Sequence, residues 1–417
     1  MQLVRPFRGL RPAREFASRV AAPPYDVLSH GEALAMARGN PHSFLHINKP
    51  EIDVDPALDS HDPAVYAKGR ENLDRFIESG VLARDDSDSY YVYRQIMGDH
   101  IQTGIAAVAP VAAYEQGLVK KHELTRPPKV RDRVDHMDAL GAQVGPVFAT
   151  YRARESLDAL IARVTETKVE YDFTAADGIR HTFWVVADPE RVAEFQRALD
   201  ELPALYVADG HHRSEAAAKL RGSLRSRFPG APSPAPWDWF LVVLFPHDQI
   251  QILDYNRVVR DLNGLPAVDF LKALEREFCV GEVEAAAAKP AAPRDFALYL
   301  DGAWRRLRPR PAVLESLAGK SASDRLDVAL LQDLVFAPLL GIEDQRTDER
   351  VDFVGGIRGL AELERRVGGG DWRAAFAFYP TSMDDLMAVA DSGGVMPPKS
   401  TWFEPKLRSG LVSHVIR

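Results

Sequence analysis

The sequence predicts an α+β fold built from two domains. Two segments of alternating apolar residues, 90–96 and 104–111, are joined by a turn that contains Gly98. A second such pair, 168–173 and 181–186, follows later in the chain. Both pairs are typical of β-hairpins. Because the helical segments are separated from these strands rather than alternating with them, the order favours α+β over a doubly wound parallel sheet.

The individual elements follow from local signals. Proline corners in residues 1–50 predict short strands and loops. Ser29, followed three residues later by a glutamate, predicts a capped helix. Residues 63–79 have helical periodicity and end at a glycine. The short apolar segment 205–208 predicts a strand, and strong helix formers begin at His211.

The clearest linker signal lies in the middle of the chain. Residues 229–236, with the sequence PGAPSPAP, contain four prolines in eight positions. We therefore expect a first domain over residues 1–235, and a second α+β domain over 236–417 that contributes to the same site. The second half contains apolar segments typical of strands at 239–245, 296–300 and 376–379.

Composition excludes several classes of protein. The 417 residues include 52 Lys and Arg against 60 Asp and Glu, a net charge of −8, and one cysteine. A single cysteine excludes intrachain disulfides and Cys-rich zinc sites. The acidic balance disfavours a nucleic-acid partner. The longest apolar stretches, 104–114 and 239–246, are shorter than the ~18–20 residues of a membrane span. With no signal peptide at its start, the chain is expected to be cytoplasmic and without a membrane partner.

The sharpest chemical signal is the sequence Asp209-Gly210-His211-His212-Arg213, where a strand is predicted to end and a helix to begin. A helix N-terminus presents unpaired N–H groups and a partial positive charge, which favour a phosphate or carboxylate. Gly210 permits close approach of a ligand to the backbone, and Arg213 can bind two oxygens. The alternative is a structural turn in which Asp209 caps the helix.

A second candidate is the segment 120–133, which contains six Lys or Arg residues and only two acidic residues. This local reversal of charge favours a polyanionic ligand such as a nucleotide. His122 and Glu123 within it offer acid–base or metal-ligating groups. A solvated charged loop is the alternative.

Two further groups of polar residues lie near the ends of the chain. In residues 395–406, prolines stiffen a segment in which Lys399, Ser400, Thr401 and Lys406 offer donors to an anionic group. We expect this segment to close over the first domain. Asp26, between proline corners, is a candidate base or magnesium ligand. Ordinary structural packing is the alternative for both groups.

Eight stretches, in order along nearly the full length, resemble the bacterial family DUF1015, a domain of unknown function. They are PFRGLRP (6–12), APPYDVLS (22–29), NPHSFLHINKPE (40–51), YYVYRQ (90–95), KHELT (121–125), LYVADGHHRSEAA (205–217), LDVALLQDLVFAPLLGI (326–342) and VMPPKSTWFEPKLRSGLV (395–412).

The DGHHR stretch also resembles the G-x-x-R box of ParB-like and sulfiredoxin-like proteins, in which a strand-to-helix turn holds nucleotide phosphates. The resemblance implies a ParB/sulfiredoxin-like nucleotide-binding core with Gly210, His211, His212 and Arg213 as phosphate contacts. Free-serine kinases carry a similar Asp-Gly-His turn and phosphorylate L-serine with ADP or ATP. The sulfiredoxin cysteine has no counterpart here, since the only cysteine is the distant Cys279.

Together these signals predict a nucleotide-dependent phosphotransferase acting on a small hydroxylated metabolite, with L-serine as the specific acceptor and ATP or ADP with Mg²⁺ as cofactors. In this hypothesis Lys399 or Lys406 helps to close the site. The spacing leaves the catalytic residue open among Asp26, Glu123, His122 and Asp209.

Two other hypotheses remain open at this point. One is a metal-dependent phosphohydrolase, with ligands drawn from His122, Glu123, Asp209, His211 and His212, although no familiar metal motif is present. The other is a non-enzymatic ParB-like regulator that switches DNA binding through a nucleotide and uses the basic helix after residue 213. The sequence identifies neither the metal nor the oligomeric state.

Overall fold

The computed structural model describes residues 1–417 and contains 20 β-strands and 14 α-helices, which confirms the α+β class. The strands are β1 (Gly9–Pro12), β2 (Leu82–Arg84), β3 (Tyr90–Met97), β4 (His100–Pro110), β5 (Val119–Lys120), β6 (Ala142–Gln143), β7 (Val147–Tyr151), β8 (Tyr171–Thr174), β9 (Arg180–Val186), β10 (Leu205–Asp209), β11 (Trp239–Pro246), β12 (Gln251–Leu253), β13 (Tyr255–Val259), β14 (Phe278–Val283), β15 (Phe296–Leu300), β16 (Ala303–Pro309), β17 (Val351–Gly355), β18 (Ala374–Ala377), β19 (Trp402–Glu404) and β20 (Ser413–Val415).

The helix predicted to follow Ser29 begins at His30. Ser29 Oγ accepts a hydrogen bond from the Glu32 N–H at 3.3 Å, and Glu32 Oε2 accepts one from the Ser29 N–H at 2.8 Å, a complete capping box. The helices are α1 (Ala17–Val20), α2 (His30–Ala37), α3 (Leu45–Asn48), α4 (Pro63–Glu78), α5 (Val111–Glu115), α6 (Pro127–Leu140), α7 (Glu155–Thr165), α8 (Pro189–Asp200), α9 (His211–Arg227), α10 (Ala267–Leu274), α11 (Pro311–Ser316), α12 (Asp327–Leu331), α13 (Gly359–Gly368) and α14 (Met383–Asp391). None of them is long and apolar enough to cross a membrane.

The chain divides into two units, and the division differs from the predicted boundary at residues 235/236. The first unit consists of residues 1–250 and 405–417, and the second of residues 251–404. The proline-rich segment 229–236 lies inside the first unit, because β11 follows it and pairs with both β4 and β7. The proline-rich segment is therefore a connection within the first unit, and the pairing of β11 determines that the unit extends beyond it.

The first unit contains a mixed eight-stranded sheet in the order β5-β10-β7-β11-β4-β3-β9-β8 and a four-stranded sheet in the order β2-β1-β20-β6. Most neighbours are antiparallel, but β5 pairs with β10 and β7 pairs with β11 in parallel. Since the carboxyl ends of parallel strands meet at one edge of a sheet, the segments after β5 and β10 emerge side by side. This edge carries the candidate site.

The second unit is antiparallel throughout. Its six-stranded sheet has the order β14-β16-β15-β18-β13-β17, and β12 pairs with β19 in a separate ribbon. Helix α13 covers the large sheet through Leu363, which is fully buried with Val258, Ala375 and Ala377. The unit therefore has a core of its own.

Candidate functional site

The turn between β10 and α9 is an open helix N-terminus. Gly210 has a φ of 100°, in the left-handed region that glycine adopts without strain. Helix α9 then runs for 17 residues, and its N-cap residue, Gly210, has no side chain to cap the first N–H groups. Such a terminus carries a partial positive charge and unpaired donors. The strand-turn-helix geometry predicted for the DGHHR stretch is thus present.

Parallel pairing of β5 with β10 brings the start of the basic segment 120–133 next to the turn at Gly210. Val119 pairs with Leu205 and Lys120 with Tyr206, so the residues after both strands leave the sheet at one edge. The rings of His122 and His211 consequently lie 4.5 Å apart, edge to face. The His122 N–H donates to His211 Nε2 at 3.4 Å. These two histidines, 89 positions apart in sequence, form one buried cluster.

Burial keeps both imidazoles neutral at neutral pH. His122 and His211 are 3% and 2% exposed. Burial lowers the pKa of His122 to about 4 and holds the pKa of His211 well below its ordinary value. Because His211 Nε2 accepts a bond, the neutral ring carries its proton on Nδ1, which lies 3.5 Å from Glu123 Oε2. The positive charge of the site therefore comes from other residues.

Arg213 is one source of that charge. Its side chain is buried, and Nη2 donates to both carboxylate oxygens of Asp26 at 3.1 and 2.9 Å. Nη1 donates to the Pro146 carbonyl at 2.8 Å, while Nε is buried without a hydrogen-bond partner. Burial acts to lower the pKa of Arg213, but the Asp26 carboxylate outweighs it and the pKa is raised. Arg213 is thus permanently charged and held in one orientation.

The space on the inner side of Arg213 is small. A cavity of about 20 Å³ is lined by its side chain together with Tyr25, Arg133 and Gly145. A cavity of this size has room for about one water molecule.

Lys406 is the second source of charge. Its Nζ donates to Asp209 Oδ2 at 2.9 Å, at the end of β10. Burial alone would raise the pKa of Asp209, but Lys406 and Arg213 hold it well below its ordinary value. Asp209 is therefore ionised and weakly basic.

The basic side chains of segment 120–133 lie in several different environments. The Arg126 N–H donates to His212 Nε2 at 3.0 Å, which ties the segment to the turn. Arg133 lies over the Tyr25 ring at 3.8 Å and pairs with Asp132 at 2.7 Å. Lys121 lies 4.8 Å from the centre of the Tyr114 ring. Its charges therefore surround the site instead of forming a single patch.

Lys399, Ser400 and Thr401 belong to the second unit. The Ser400 side chain is buried, and its hydroxyl donates to the Pro397 carbonyl at 2.6 Å, within the same loop. Lys399 has a φ of 56°, and its Nζ lies 5.5 Å from the centre of the Tyr255 ring. Thr401 is partly buried.

The sequence missed the residue that organises this loop. Arg257 on β13 is buried and donates from Nη2 to the carbonyls of Pro398 at 3.2 Å and Lys399 at 3.0 Å. Its guanidinium carbon also lies 5.3 Å from the centre of the Phe353 ring and 4.6 Å from the centre of the Phe378 ring. No motif marks it, because a single arginine inside an apolar strand looks like an exposed edge position.

The geometry gives no support to two of the expectations. No group of three or more His, Cys, Asp or Glu side chains anywhere in residues 1–417 is arranged to hold a metal ion, so the five ligands of the phosphohydrolase hypothesis do not converge. The basic residues of α9 are paired with carboxylates, which removes the free basic face expected for DNA binding. These pairs are Lys219 with Glu215, Arg221 and Arg225 with Asp238, and Arg227 with Asp138.

No curated protein matches the chain. Among solved structures, a free serine kinase mutant in complex with AMP is 13% identical over 74% of this chain and 91% of that chain, with a TM-score of 0.37. A conserved hypothetical protein from Pyrococcus furiosus is 14% identical over 74% and 94%, with a TM-score of 0.34. SbnI with C-terminal truncation from Staphylococcus aureus is 13% identical over 74% and 86%, with a TM-score of 0.37. Likeness of this degree carries no conclusion about activity.

The resemblance that the eight stretches indicate is confirmed by the family model. It matches residues 4–329, well over half of the chain and including the DGHHR turn. The chain belongs to DUF1015, a family of proteins of unknown function.

Proposed function

We propose that the first unit is a nucleotide-dependent phosphotransferase that acts on a small hydroxylated metabolite. The observation that carries this proposal is the uncapped N-terminus of α9 at Gly210, with the cations Arg213 and Lys406 beside it. Backbone N–H groups at such a terminus bind phosphate oxygens, and fixed cations neutralise the charge of a polyphosphate. In this proposal the turn belongs to a ParB/sulfiredoxin-like core, and the N–H groups of residues 210–212 bind the nucleotide phosphates.

The two cations are held in place before a ligand arrives. Asp26 pairs with Arg213 at 2.9 Å, and Asp209 pairs with Lys406 at 2.9 Å. Phosphoryl transfer depends on positioning and charge stabilisation more than on covalent chemistry, so fixed cations are the main requirement. His122 and His211, buried and neutral, would add shape and hydrogen bonding to the site without adding charge.

Glu123 is the carboxylate best suited to act as the base. Asp26 and Asp209 form salt bridges with Arg213 and Lys406, and Lys406 and Arg213 hold the pKa of Asp209 well below its ordinary value. Glu123 is 52% exposed and lies beside the neutral ring of His211. It would take the proton of the acceptor hydroxyl while that oxygen bonds to the terminal phosphorus. The bond from this phosphorus to the bridging oxygen breaks, and the nucleotide leaves one phosphate shorter.

A Mg²⁺ ion carried by the nucleotide would have Asp209 as its protein ligand. Magnesium in such sites is bound through one or two carboxylates and the substrate phosphates, so three converging side chains are not required. Bound there, the ion would neutralise charge on the transferred phosphate. L-serine is the acceptor to test first, because of the Asp-Gly-His turn that the sequence shares with free-serine kinases.

Isothermal titration calorimetry with ADP and ATP, each with Mg²⁺, tests binding. Arg213→Ala should weaken nucleotide binding by about tenfold or more, since it removes a charge-assisted contact. Arg221→Ala is the matched control, because Arg221 lies on the same helix and also pairs with a carboxylate, Asp238, at 2.9 Å. Circular dichroism verifies that both variants fold. Equal nucleotide affinity in the wild type and in Arg213→Ala would remove the proposed phosphate site.

A second experiment tests catalysis. With L-serine and ATP or ADP, ³¹P NMR follows formation of a phosphomonoester. Glu123→Gln should retain nucleotide binding and reduce turnover by about 100-fold or more, as expected for loss of a general base. If turnover survives in Glu123→Gln and is lost in Asp26→Asn, the base is Asp26 instead.

A further inference from the structure

The segment that carries Lys406 is built firmly into the first unit. Residues 405–417, here called the return segment, follow the last strand of the second unit and belong to the first unit. Their strand β20 pairs with both β1 and β6. Ser409 and Ala22 exchange backbone hydrogen bonds at 2.9 and 3.1 Å. The return segment is therefore an integral part of the first unit's sheets.

Two buried glutamines hold the backbone of Lys406. Gln95 on β3 and Gln102 on β4 are fully buried and occupy paired positions. Gln102 Nε2 donates to Gln95 Oε1 at 2.9 Å, and Gln95 Nε2 donates to the Lys406 carbonyl at 2.9 Å. A buried amide is costly unless it is hydrogen-bonded. The two buried amides thus form a chain of hydrogen bonds, from Gln102 to Gln95 and from Gln95 to the Lys406 carbonyl.

A second attachment lies two residues further along. Arg408 is buried, pairs with Asp177, and donates from Nε to His181 Nε2 at 3.2 Å. Burial lowers the pKa of His181 to about 3, so the ring is neutral and its Nδ1 proton faces the Tyr93 oxygen at 2.7 Å. The backbone of Lys406 is therefore fixed at its own carbonyl and again at Arg408.

We infer that Gln95, supported by Gln102, is a positioning residue that sets the Lys406 ammonium at the end of β10, where it binds Asp209 and takes part in binding the nucleotide. This inference rests on the proposed function for the nucleotide and on the observed contacts for Lys406 itself. A lysine side chain has four rotatable carbons, so its ammonium stays in one place only if its backbone is fixed. The site thereby extends beyond residues 4–329, the region that the family model matches.

A double-mutant cycle on affinity for ADP with Mg²⁺ separates positioning from general stability. Lys406→Ala should weaken binding by about tenfold, and Gln95→Met by about threefold to fivefold. If Gln95 acts through the ammonium, Gln95→Met has no further effect in the Lys406→Ala background. Additive effects would overturn the inference. Gln102→Met, one step further from Lys406, should show the same non-additivity with a smaller loss.

The matched control is Gln196→Met. Gln196 donates from Nε2 to a backbone carbonyl, that of Val4, at 2.9 Å, which is the same kind of bond at the same length. It holds a different segment of the same unit, so ADP affinity should equal that of the wild type. A loss as large as that of Gln95→Met would show that any such bond matters equally, and would overturn the inference.

A measurement without nucleotide decides the same question independently. The coupling between Lys406 and Asp209 is obtained from denaturant unfolding of Lys406→Met, Asp209→Asn and the double variant. Repeated in the Gln95→Met background, the coupling should disappear, whereas in Gln196→Met it should persist. If the wild type binds no nucleotide, the proposed function fails, and this coupling still tests Gln95. A coupling unchanged by Gln95→Met would overturn the positioning role even if nucleotide binds.

Discussion

Arg213 at the candidate site of the first unit and Arg257 of the second unit are both buried arginines, and their charges are balanced in opposite ways. Arg213 of the first unit pairs with the carboxylate of Asp26. Arg257 of the second unit is 1% exposed, donates to backbone carbonyls and to Gln345, and lies close to two aromatic rings. The Asp26 carboxylate raises the pKa of Arg213, whereas burial lowers the pKa of Arg257 to about 9.

This difference shows what each cation does. A buried cation with an acidic partner keeps its charge beside an open helix terminus, where an anion can use it. A buried cation bound to neutral oxygens, without an acidic partner beside it, instead acts as an internal support for a loop. The chemistry of the molecule is therefore expected in the first unit, and the role of Arg257 is structural.

The largest expected contrast between the units is in their response to acid. All 12 histidines lie in the first unit. Burial lowers the pKa of His122 to about 4, while the unfolded chain titrates near 6.5, so the unfolded state binds more protons between these values. Stability is then fully present above pH 6.5 and falls as the pH drops toward 4, by about 3 kcal/mol for His122 alone.

Amide hydrogen exchange at pH 7 and pH 4.5 measures this contrast. Protection should fall in the first unit and change less in the second. His122→Gln should flatten the pH dependence of the first unit, and His61→Gln, whose side chain is 62% exposed, should leave it unchanged. Equal loss of protection in both units would contradict the assignment of the acid response to buried histidines.

The next largest effect is expected at Arg257. Arg257→Met leaves the carbonyls of Tyr255, Pro398 and Lys399 without their donor, at a cost of about 1–3 kcal/mol for each buried acceptor, partly offset because a buried charge is removed. We expect a net loss of about 3 kcal/mol, read from hydrogen exchange along β13 and the 397–400 loop. Arg260→Met, at an exposed arginine that donates to one carbonyl, should cost less than about 1 kcal/mol.

A smaller effect on stability is expected when Arg213 loses its acidic partner and so comes to resemble Arg257. Asp26→Asn removes the carboxylate partner of Arg213 but retains a hydrogen-bonding side chain of the same shape. Because Asp26 is one-third exposed, solvent screens the pair, and the expected loss is about 1 kcal/mol. Denaturant unfolding measures it. A gain in stability would show that the Asp26 carboxylate destabilises the folded state. We would then infer that Asp26 is retained for catalysis.

The parts of the site that the sequence predicts are those with local causes. The left-handed glycine, the open start of α9 and the capping box at Ser29 each depend on neighbours within a few positions. The contact between His122 and His211 depends on parallel pairing of β5 with β10, which no short pattern signals. The sequence predicts Lys406 as an anion donor and Asp209 as a candidate catalytic residue, but not the pairing of these two residues across 197 positions.

The remaining features have causes that are visible only in three dimensions. The boundary between the units depends on the pairing of β11 with β4 and β7. The proline-rich segment before β11 indicates a linker and gives no sign of this pairing. Gln95 and Arg257 are polar residues in apolar strands, and the sequence cannot tell a buried polar residue with a distant partner from an exposed one. Their partners, at Lys406 and in the 397–400 loop, come from segments far along the chain.

The smallest expected effect concerns the loop that Arg257 supports. Lys399 has a φ of 56°, in the region where a residue with a Cβ is strained and glycine is not. Lys399→Gly should therefore stabilise the second unit by up to about 1 kcal/mol, measured by denaturant unfolding. Lys289→Gly, at an exposed position without positive φ, should instead destabilise by about 0.5–1 kcal/mol. If Arg257 imposes the strained φ by binding the Lys399 carbonyl, the gain from Lys399→Gly disappears in the Arg257→Met background, where the loop relaxes.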